Sequence, residues 1–234
     1  MKFAALQKNS FVDYPGKIAA VVFTRGCNFN CYYCHNRTLL DKSRVDAEAV
    51  SDDEVLTYLK SRKDFLEGLV VTGGEPTLHS ALFEFLQRVK SIGYAVKFDT
   101  NGSNPEVLKR LIKCRYVDYF AMDFKAPFGR YSEICGVDVN ADCISDSVQS
   151  IMKSGIDYEF RTTFVPQLSI EDISQIADEI KGARLYAIQQ YRKDNTAVGV
   201  CDPRLLQKPH TGDYVRKAVE CAKGKVCKCI TRGI

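Results

Sequence analysis

The sequence lacks any apolar run long enough to span a membrane, and it shows no signal peptide, because Met1-Lys2-Phe3 leads directly into mixed polar sequence. It also lacks a dense stripe of basic residues, and its net charge is only +4, which argues against nucleic-acid binding. No linker, low-complexity stretch or sequence repeat divides the chain. These absences predict a cytoplasmic protein that binds neither membrane nor nucleic acid and forms a single domain over residues 1–234.

Cysteine, in contrast, is abundant, with ten among 234 residues. Without a secretory signal, this number argues against a disulfide scaffold and suits a reducing, oxygen-poor cytosol. Three of them form the motif C-x-x-x-C-x-x-C at Cys27, Cys31 and Cys34, and no fourth cysteine follows nearby. Because four cysteines usually ligate a cubane iron–sulfur cluster, three would hold three irons and leave the fourth iron open to a substrate or cofactor.

Two other interpretations of this motif stay open. It could bind zinc with His35 as the fourth ligand, although structural zinc usually takes its ligands as two short pairs separated by a longer loop, and His35 directly follows Cys34. The thiols could also be scattered core residues, because free cysteine is often buried. The ligand spacing favours the iron–sulfur cluster.

Strand-like and helix-like stretches alternate along the chain. The expected strands cover residues 17–24, 69–72, 94–100, 117–123, 158–163 and 185–190, with a possible last one at 225–230. The expected helices cover residues 51–62, 80–92, 104–113, 146–154, 169–182 and 213–222. Six strand–helix units imply a parallel sheet with right-handed crossovers and fall short of the eight that close a full barrel. We therefore predict an α/β fold, a partial (β/α)6 barrel, with a doubly wound open sheet as the alternative.

Polar motifs stand at the carboxyl ends of all six predicted strands. In chain order they are the cysteine motif, Thr72-Gly73-Gly74-Glu75-Pro76, Asp99-Thr100-Asn101-Gly102, Asp123-Phe124-Lys125, Arg161-Thr162-Thr163 and Gln189-Gln190. In parallel α/β folds these strand ends form the active face. We therefore expect the six motifs to converge on one rim.

Each motif also has a purely structural interpretation. Gly73-Gly74 could be only a tight turn, and Asn101-Gly102 could be a strand-end turn. Asp123 and Lys125 lie two apart on a strand, so both face one side and could form a structural ion pair. Arg161 could brace a carboxylate or simply be solvated.

The remaining candidates are less specific. Tyr33 could stack on a base or pack within its loop, and His35 and Asn36 could cap the loop or contact a ligand. The three cysteines of the tail could form a second metal site or belong to a buried strand: Cys221, Cys227 and Cys229. The other four are isolated and are interpreted as packing residues: Cys114, Cys135, Cys143 and Cys201.

Together, Cys27-x-x-x-Cys31-x-aromatic-Cys34 and Gly73-Gly74-Glu75-Pro76 resemble the radical S-adenosylmethionine (SAM) superfamily, whose fold is a partial (β/α)6 barrel. Within it, the chain is similar to the glycyl-radical-enzyme activases through Cys34-His35-Asn36, Asp99-Thr100-Asn101-Gly102 and Asp123-x-Lys125. It most resembles the single-domain branch that activates anaerobic ribonucleoside-triphosphate reductase, through residues 13–20, 117–123 and 158–163. The Cys227-x-Cys229 tail departs from that pattern.

The resemblance implies a [4Fe-4S] cluster on Cys27, Cys31 and Cys34, with SAM chelated by the open iron. One electron from the cluster splits SAM, and the 5′-deoxyadenosyl radical abstracts a Cα hydrogen from a glycine of a partner enzyme. The cofactor carries the hard chemistry, so no conventional catalytic residue is assigned. The implied cofactor contacts are Tyr33, His35, Asn36, Gly73, Gly74, Glu75, Asp99, Asn101, Asp123, Lys125, Arg161 and Gln190.

By the same resemblance, the Gly73-Gly74-Glu75 turn engages the methionyl ammonium, and Tyr33 faces adenine. Asp99, Asp123 and Lys125 lie near the methionyl carboxylate and ribose. The implied partner is the large subunit of anaerobic ribonucleotide reductase, with flavodoxin or ferredoxin as electron donor. The alternatives are an activase of another glycyl radical enzyme, of the pyruvate formate-lyase type, and a radical SAM enzyme that acts on a small molecule.

Overall fold

A computed structural model describes residues 1–40, 49–193 and 202–234 of the chain. Within these ranges, two short strands, β1 (Lys2–Phe3) and β4 (Val50–Ser51), pair antiparallel apart from the main sheet. The main sheet has eight strands: β2 (Ala5–Ser10), β3 (Ala19–Thr24), β5 (Gly68–Gly73), β6 (Ala95–Thr100), β7 (Tyr119–Asp123), β8 (Asp157–Phe164), β9 (Tyr186–Gln190) and β10 (Cys229–Arg232).

The strands follow one another in the sheet almost as they do in the chain. The order is β10-β9-β8-β7-β6-β5-β3-β2, and every neighbouring pair is parallel except β2 with β3. In a doubly wound sheet the strand order reverses at a switch point, and no such reversal occurs here. The prediction of an α/β fold with a partial barrel is confirmed, and the doubly wound alternative is wrong.

Helices connect successive parallel strands. The described helices are α1 (Asp52–Ser61), α2 (Leu82–Ile92), α3 (Pro105–Cys114), α4 (Tyr131–Cys135), α5 (Ala141–Lys153), α6 (Ile170–Glu179) and α7 (Gly212–Ala222). A capping box begins α1, because Ser51 Oγ accepts from Glu54 N–H while the Glu54 carboxylate accepts from Ser51 N–H. Ser169 and Asp172 form the same box at the start of α6. None of the described helices is long and apolar enough to cross a bilayer.

The two faces of the sheet have different chemistry. Outward-facing side chains are apolar and fully buried beneath the helices; in register across four strands they are Val22, Val71, Phe98 and Phe120. On the inner face, Val21 and Val70 pack against Tyr14, and the next residue in the same register is Lys97. The inner face of the sheet therefore changes from apolar at β3 and β5 to charged at β6.

Some local expectations were wrong. The sequence did not predict the strands β1, β2 and β4 or the short helix α4. Strand β2 is an exposed, polar edge strand without a clear alternation. Helix α5 begins at Ala141, where Asn140 Oδ1 caps Asp142 N–H. Asn104 precedes α3 as expected, but its side chain makes no capping bond. The last strand is Cys229–Arg232, later than the expected 225–230.

Candidate functional site

A cavity of about 370 Å³ lies inside the barrel at the carboxyl ends of the parallel strands. The sequence-predicted residues that line it are Cys27, Cys31, Tyr33, Cys34, His35, Asn36, Gly73, Gly74, Asp99, Asn101, Asp123, Lys125 and Arg161. All six strand-end motifs therefore contribute to one rim, the sixth through Gln189, as expected from the parallel topology. Their individual contacts to a cofactor stay predictions.

The cysteine loop (residues 25–36) is held by the turn that follows β5. Gly74 N–H donates to Thr24 O at 2.9 Å, and Glu75 N–H donates to Gly26 O at 2.8 Å. A Cβ atom at Gly74 would lie only 1.9 Å from Gly26 O, so only glycine lets these two backbones approach so closely. Asn36 Nδ2 adds a 3.3 Å bond to Gly73 O. The Gly-Gly turn thus positions the cysteine loop, besides lining the cavity.

The three motif cysteines differ in environment. Burial raises the pKa of the Cys27 thiol to about 11 and also raises the pKa of Cys34. At Cys31, a hydrogen bond from the Cys135 side chain outweighs burial and lowers the pKa to about 7. Cys31 is thus the motif cysteine that ionises most readily, and the thiolate is the form that binds metal.

The arrangement fits a polynuclear cluster better than a single ion. Within the described parts of the chain, no three His, Cys, Asp or Glu side chains converge closely enough to hold one metal ion. This argues against zinc on the three cysteines and His35, since tetrahedral zinc needs four converging donors. Three thiols spread around one cavity suit the corners of an iron–sulfur cubane.

Tyr33 gives a second sign of a ligand. Its side chain lies against the cavity and is buried, and its hydroxyl has no hydrogen-bond partner among the described residues. A buried, unsatisfied hydroxyl is costly, so such a group calls for an explanation, for example a partner that arrives with a ligand. The residues present therefore fit a bound cluster together with a polar organic cofactor such as SAM.

Five charged side chains alternate in sign along the inner face of β6, β7 and β8. Asp99 bonds Lys97 on one side and Arg161 Nη1, at 3.3 Å, on the other. Asp123 accepts from Arg161 Nε at 2.8 Å and from Lys125 Nζ at 3.0 Å. Burial alone would raise the pKa of Asp123, but the charges of Arg161 and Lys125 outweigh it and hold that pKa below its usual range. At Asp99 the charges of Arg161 and Lys97 likewise outweigh burial and lower the pKa. Both carboxylates are therefore ionised.

Glu75 does not lie where the sequence suggested. Its carboxylate is fully buried behind the cavity wall and is not among the lining groups. Oε1 accepts from Thr77 and from Thr100 Oγ1 at 2.9 Å, and Oε2 accepts from Asn101 N–H at 2.7 Å. Both oxygens are thus used to join the β5 and β6 turns. Glu75 acts as a brace between these turns, and a contact of the Gly73-Gly74-Glu75 turn with a cationic ligand group stays a prediction.

Gln190 is not among the residues that line the cavity. Its Nε2 donates to His210 O at 3.0 Å, and its neighbour Gln189 lines the cavity in its place. Successive residues of a strand point to opposite faces, and Gln189 pairs in register with Thr163, which also lines the cavity. The pairing of β9 with β8 decides which of the two glutamines faces the cavity, and this pairing cannot be read from the sequence alone.

Other cavity residues were not assigned as cofactor contacts: Asp13 and Phe29, and Thr100 and Thr163 of the predicted strand-end motifs. Asp13 comes from the loop before β3 and accepts from Ser10 Oγ at 2.5 Å. This loop precedes the first parallel strand rather than following a strand end, so the strand-end rule could not find it. Phe29 lies between two motif cysteines, and an apolar residue at that place gives no indication that it lines a cavity.

The structure also shows how exposed the cysteines outside the motif are. Cys221 and Cys227 are exposed and Cys229 is half-buried, and the described residues give them no cluster of metal ligands, so the packing interpretation fits Cys229 alone. Cys114 is exposed, which contradicts its assignment as a packing residue. Cys135 is fully buried, as expected. Cys201 lies outside the described residues.

Comparisons with known proteins agree with this geometry. The family model described as the Radical SAM superfamily matches residues 21–180. Two proteins of Methanocaldococcus jannaschii, both named provisionally as glycyl-radical enzyme activating enzymes, are similar in sequence. One is 40% identical over 190 residues, which cover 78% of this chain and 76% of that protein. The other is 29% identical over 208 residues, which cover 86% and 77%.

Among solved structures, SuiB of Streptococcus suis bound to S-adenosylmethionine has a similar fold. The TM-score is 0.67 at 16% sequence identity, and the match covers 91% of this chain and 50% of that one. The chain thus spans about half the length of SuiB, and the likeness concerns the fold.

Proposed function

Because the chain belongs to the radical SAM superfamily, we propose that it is an activase that installs a glycyl radical on anaerobic ribonucleoside-triphosphate reductase. The observation that carries the proposal is the convergence of the three-cysteine loop, the Gly-Gly turn and the alternating charges on one cavity. The 40% identity to a protein named as an activating enzyme supports the activase class. The resemblance of residues 13–20, 117–123 and 158–163 to the single-domain branch supports the reductase as target.

Cys27, Cys31 and Cys34 would hold the [4Fe-4S] cluster, and the residues around them would hold SAM. When bound, the cluster supplies the electron that splits SAM into methionine and the radical that takes a Cα hydrogen from the partner's glycine. The protein's own contribution is to bind, orient and shield the cofactor. An external flavodoxin or ferredoxin would deliver the electron.

The charged residues suit the methionyl end of SAM. Asp123 already uses both carboxylate oxygens on Arg161 and Lys125. A guanidinium has five N–H donors and an ammonium three, so both cations keep donors for a carboxylate in the cavity. The peptide groups of Gly73 and Gly74 line the same cavity and would meet the ammonium. The Tyr33 ring and its unsatisfied hydroxyl would lie against the adenosyl part.

The test is anaerobic incubation of the reconstituted protein with SAM, a reductant and each candidate glycyl enzyme in turn. We expect an electron paramagnetic resonance (EPR) doublet of a glycyl radical on the reductase, at no more than stoichiometric yield. Cys31→Ala should abolish the doublet, whereas Cys114→Ala, at an exposed thiol outside the motif, should leave it intact.

Other outcomes would each change one part of the proposal. A doublet only on a pyruvate formate-lyase type of enzyme would overturn the choice of partner. Multiple turnovers of SAM cleavage with a small molecule and no protein radical would overturn the activase class. A colourless protein that contains zinc and no iron after anaerobic purification would overturn the cluster itself.

A further inference from the structure

A buried cysteine outside the motif contacts the cysteine loop. Cys135 is the last residue of α4, is fully buried, and its side chain lies beside that of Cys31, whose pKa it lowers. The backbone holds this contact, because Asn30 N–H donates to Cys135 O at 2.9 Å. Gly136 has φ +66, and a Cβ there would lie 2.8 Å from Asn30 O, so glycine is needed for this close approach.

Helix α4 is itself fixed from two further sides. Lys125 N–H donates to the hydroxyl of Tyr131, which is almost fully buried, at 3.0 Å. Arg204 Nη1 donates to Glu133 O at 3.1 Å, and the same guanidinium lies 4.0 Å from the ring centroid of Tyr32 in the cysteine loop. The helix therefore cannot withdraw its Cys135 side chain without breaking contacts to the charged cavity wall and to the loop.

On the other side of the loop, Asn101 contacts a second motif cysteine. Its Nδ2 donates to Cys27 Sγ at 3.7 Å and to Asn28 Oδ1 at 2.9 Å. Its Oδ1 accepts from Ser103 N–H at 2.9 Å, and this fixes which end of the amide faces the sulfur. The backbone of Asn101 is anchored in turn, since its N–H donates to the buried carboxylate of Glu75. Asn101 is thus oriented as a donor to Cys27.

We infer that Cys135 and Asn101 are positioning residues that donate hydrogen bonds to the ligand sulfurs of Cys31 and Cys27, and that these two side-chain bonds raise the reduction potential of the cluster. The inference rests on the proposed function, because it requires the cluster. Neither residue belongs to the cysteine motif, and each reaches the loop from a different element. Asn101 was expected to contact SAM, and this role is additional to that one.

The direction of the effect follows from charge. Reduction adds an electron to the cluster and its thiolates, and a hydrogen bond to sulfur stabilises the more negative state. Hydrogen bonds to the sulfurs are among the factors that set iron–sulfur potentials, and groups behind the ligands commonly tune a metal site. In a buried site such a bond is stronger than in water. Loss of either donor should therefore make the cluster harder to reduce.

The test is an EPR-monitored redox titration of the reconstituted protein and its variants, with iron and sulfide measured for each. We expect a more negative midpoint potential in Cys135→Ala. Cys135→Ser keeps an O–H donor at the same place and should recover most of the native potential. Cys114→Ala removes an exposed thiol and should have no effect. A purely structural role of Cys135 would lower cluster content without moving the potential of the clusters that form.

Asn101 is tested by Asn101→Asp, which keeps the acceptor for Ser103 N–H but removes the Nδ2 donor. The added charge is controlled by Asn28→Asp, because Asn28 neighbours Cys27 and contributes only an acceptor to Asn101. We expect the midpoint potential to fall further in Asn101→Asp than in Asn28→Asp. Equal falls in the two variants would assign the effect to charge and overturn the role of the Asn101 donor.

A second measurement does not depend on cluster uptake by the variants. Resonance Raman bands of Fe–S(Cys) stretching should shift when the native protein is exchanged into D2O, because the protons hydrogen-bonded to the ligand sulfurs are exchangeable. The absence of such a shift, or unchanged potentials in both donor variants at full cluster content, would overturn this inference alone. A native chain that binds no iron–sulfur cluster would overturn the proposed function and this inference with it.

Discussion

At the scale of single residues, Arg161 joins two carboxylates that are both inside the barrel. Its side chain is only 14% exposed and binds Asp99 and Asp123 on either side. An ion pair of this kind is weak evidence for net stability, but the removal of one partner is costly because it leaves a charge buried without compensation. Replacing the whole network by apolar residues should therefore cost less stability than removing one of its members.

The first prediction is that Arg161→Met lowers the free energy of unfolding by about 3–5 kcal/mol, the usual cost of breaking a buried ion pair. Chemical denaturation would measure it. The matched control is Arg216→Met in α7, where Arg216 is 61% exposed and pairs with Asp213 on the surface. That change should cost about 0–1 kcal/mol. Equal losses in the two variants would contradict the assignment of a buried network.

The second prediction concerns pH. The pKa values of Asp99 and Asp123 are held below their usual range in the folded state, where Arg161 and nearby lysines outweigh burial. An unfolded aspartate titrates near about 3.9, so the stabilisation is fully present above that pH and is lost as the pH falls through lower values. We expect the free energy of unfolding to drop steeply below about pH 4. Asp123→Asn should flatten that slope, and an unchanged slope would assign acid lability to other groups.

The residue scale also shows where sequence reasoning about the site reaches its limit. The spacing of Cys27, Cys31 and Cys34 and their place after a strand were sufficient to locate the cavity. Glu75 was misplaced because its motif says that a carboxylate is present but not that Thr77, Thr100 and Asn101 N–H consume both of its oxygens. Such pairings depend on neighbouring strands, and a single sequence does not contain them.

At the scale of elements, the third prediction concerns the contact between the turn after β5 and the root of the cysteine loop. Gly74→Ala should push the two backbones apart, because its Cβ would meet Gly26 O at 1.9 Å. Overpacking of this kind costs about 1–3 kcal/mol, and the displaced loop should also take up less iron on reconstitution. Iron and sulfide content per chain would measure the effect.

The control for this change is Gly129→Ala. Gly129 lies in the 3₁₀ turn Phe128–Arg130, has no positive φ, and would place a Cβ with no other atom within 4 Å. It should load a full cluster and unfold within about 0.5 kcal/mol of the native protein. Full cluster loading in Gly74→Ala would show that the loop tolerates the displacement, contrary to the close approach described above.

Elements with strong local signals could be predicted from the sequence, and those formed by tertiary contacts could not. The capping boxes at Ser51 and Ser169 located the starts of α1 and α6. Helix α4 has only five residues, and what holds it is contact with the cysteine loop and Arg204, which no local pattern encodes. Strand β2 is mostly exposed, so it lacks the apolar alternation that identifies a half-buried strand.

At the scale of the whole molecule, the alternation of strands and helices was enough to predict an open parallel sheet, because crossover connections allow few other arrangements. The end of the sheet was less predictable. Strand β10 was expected too early, and its pairing with β9 brings Arg232 to Glu159, a residue of β8. Glu159 is 1% exposed, and it accepts from Arg232 at 2.9 Å and 2.5 Å.

The last prediction follows from that cross-sheet pair. Arg232→Met should destabilise the fold by about 2–3 kcal/mol, less than a fully buried pair because water reaches the Arg232 side chain, which is 36% exposed. Glu159→Gln in the same chain should restore part of the loss, since a neutral amide is cheaper to bury unpaired than a carboxylate. Denaturation of both single variants and the double variant gives the coupling energy. Strict additivity would mean that β10 is held by its backbone pairing with β9 and that the Arg232–Glu159 pair contributes nothing to closing this edge of the barrel.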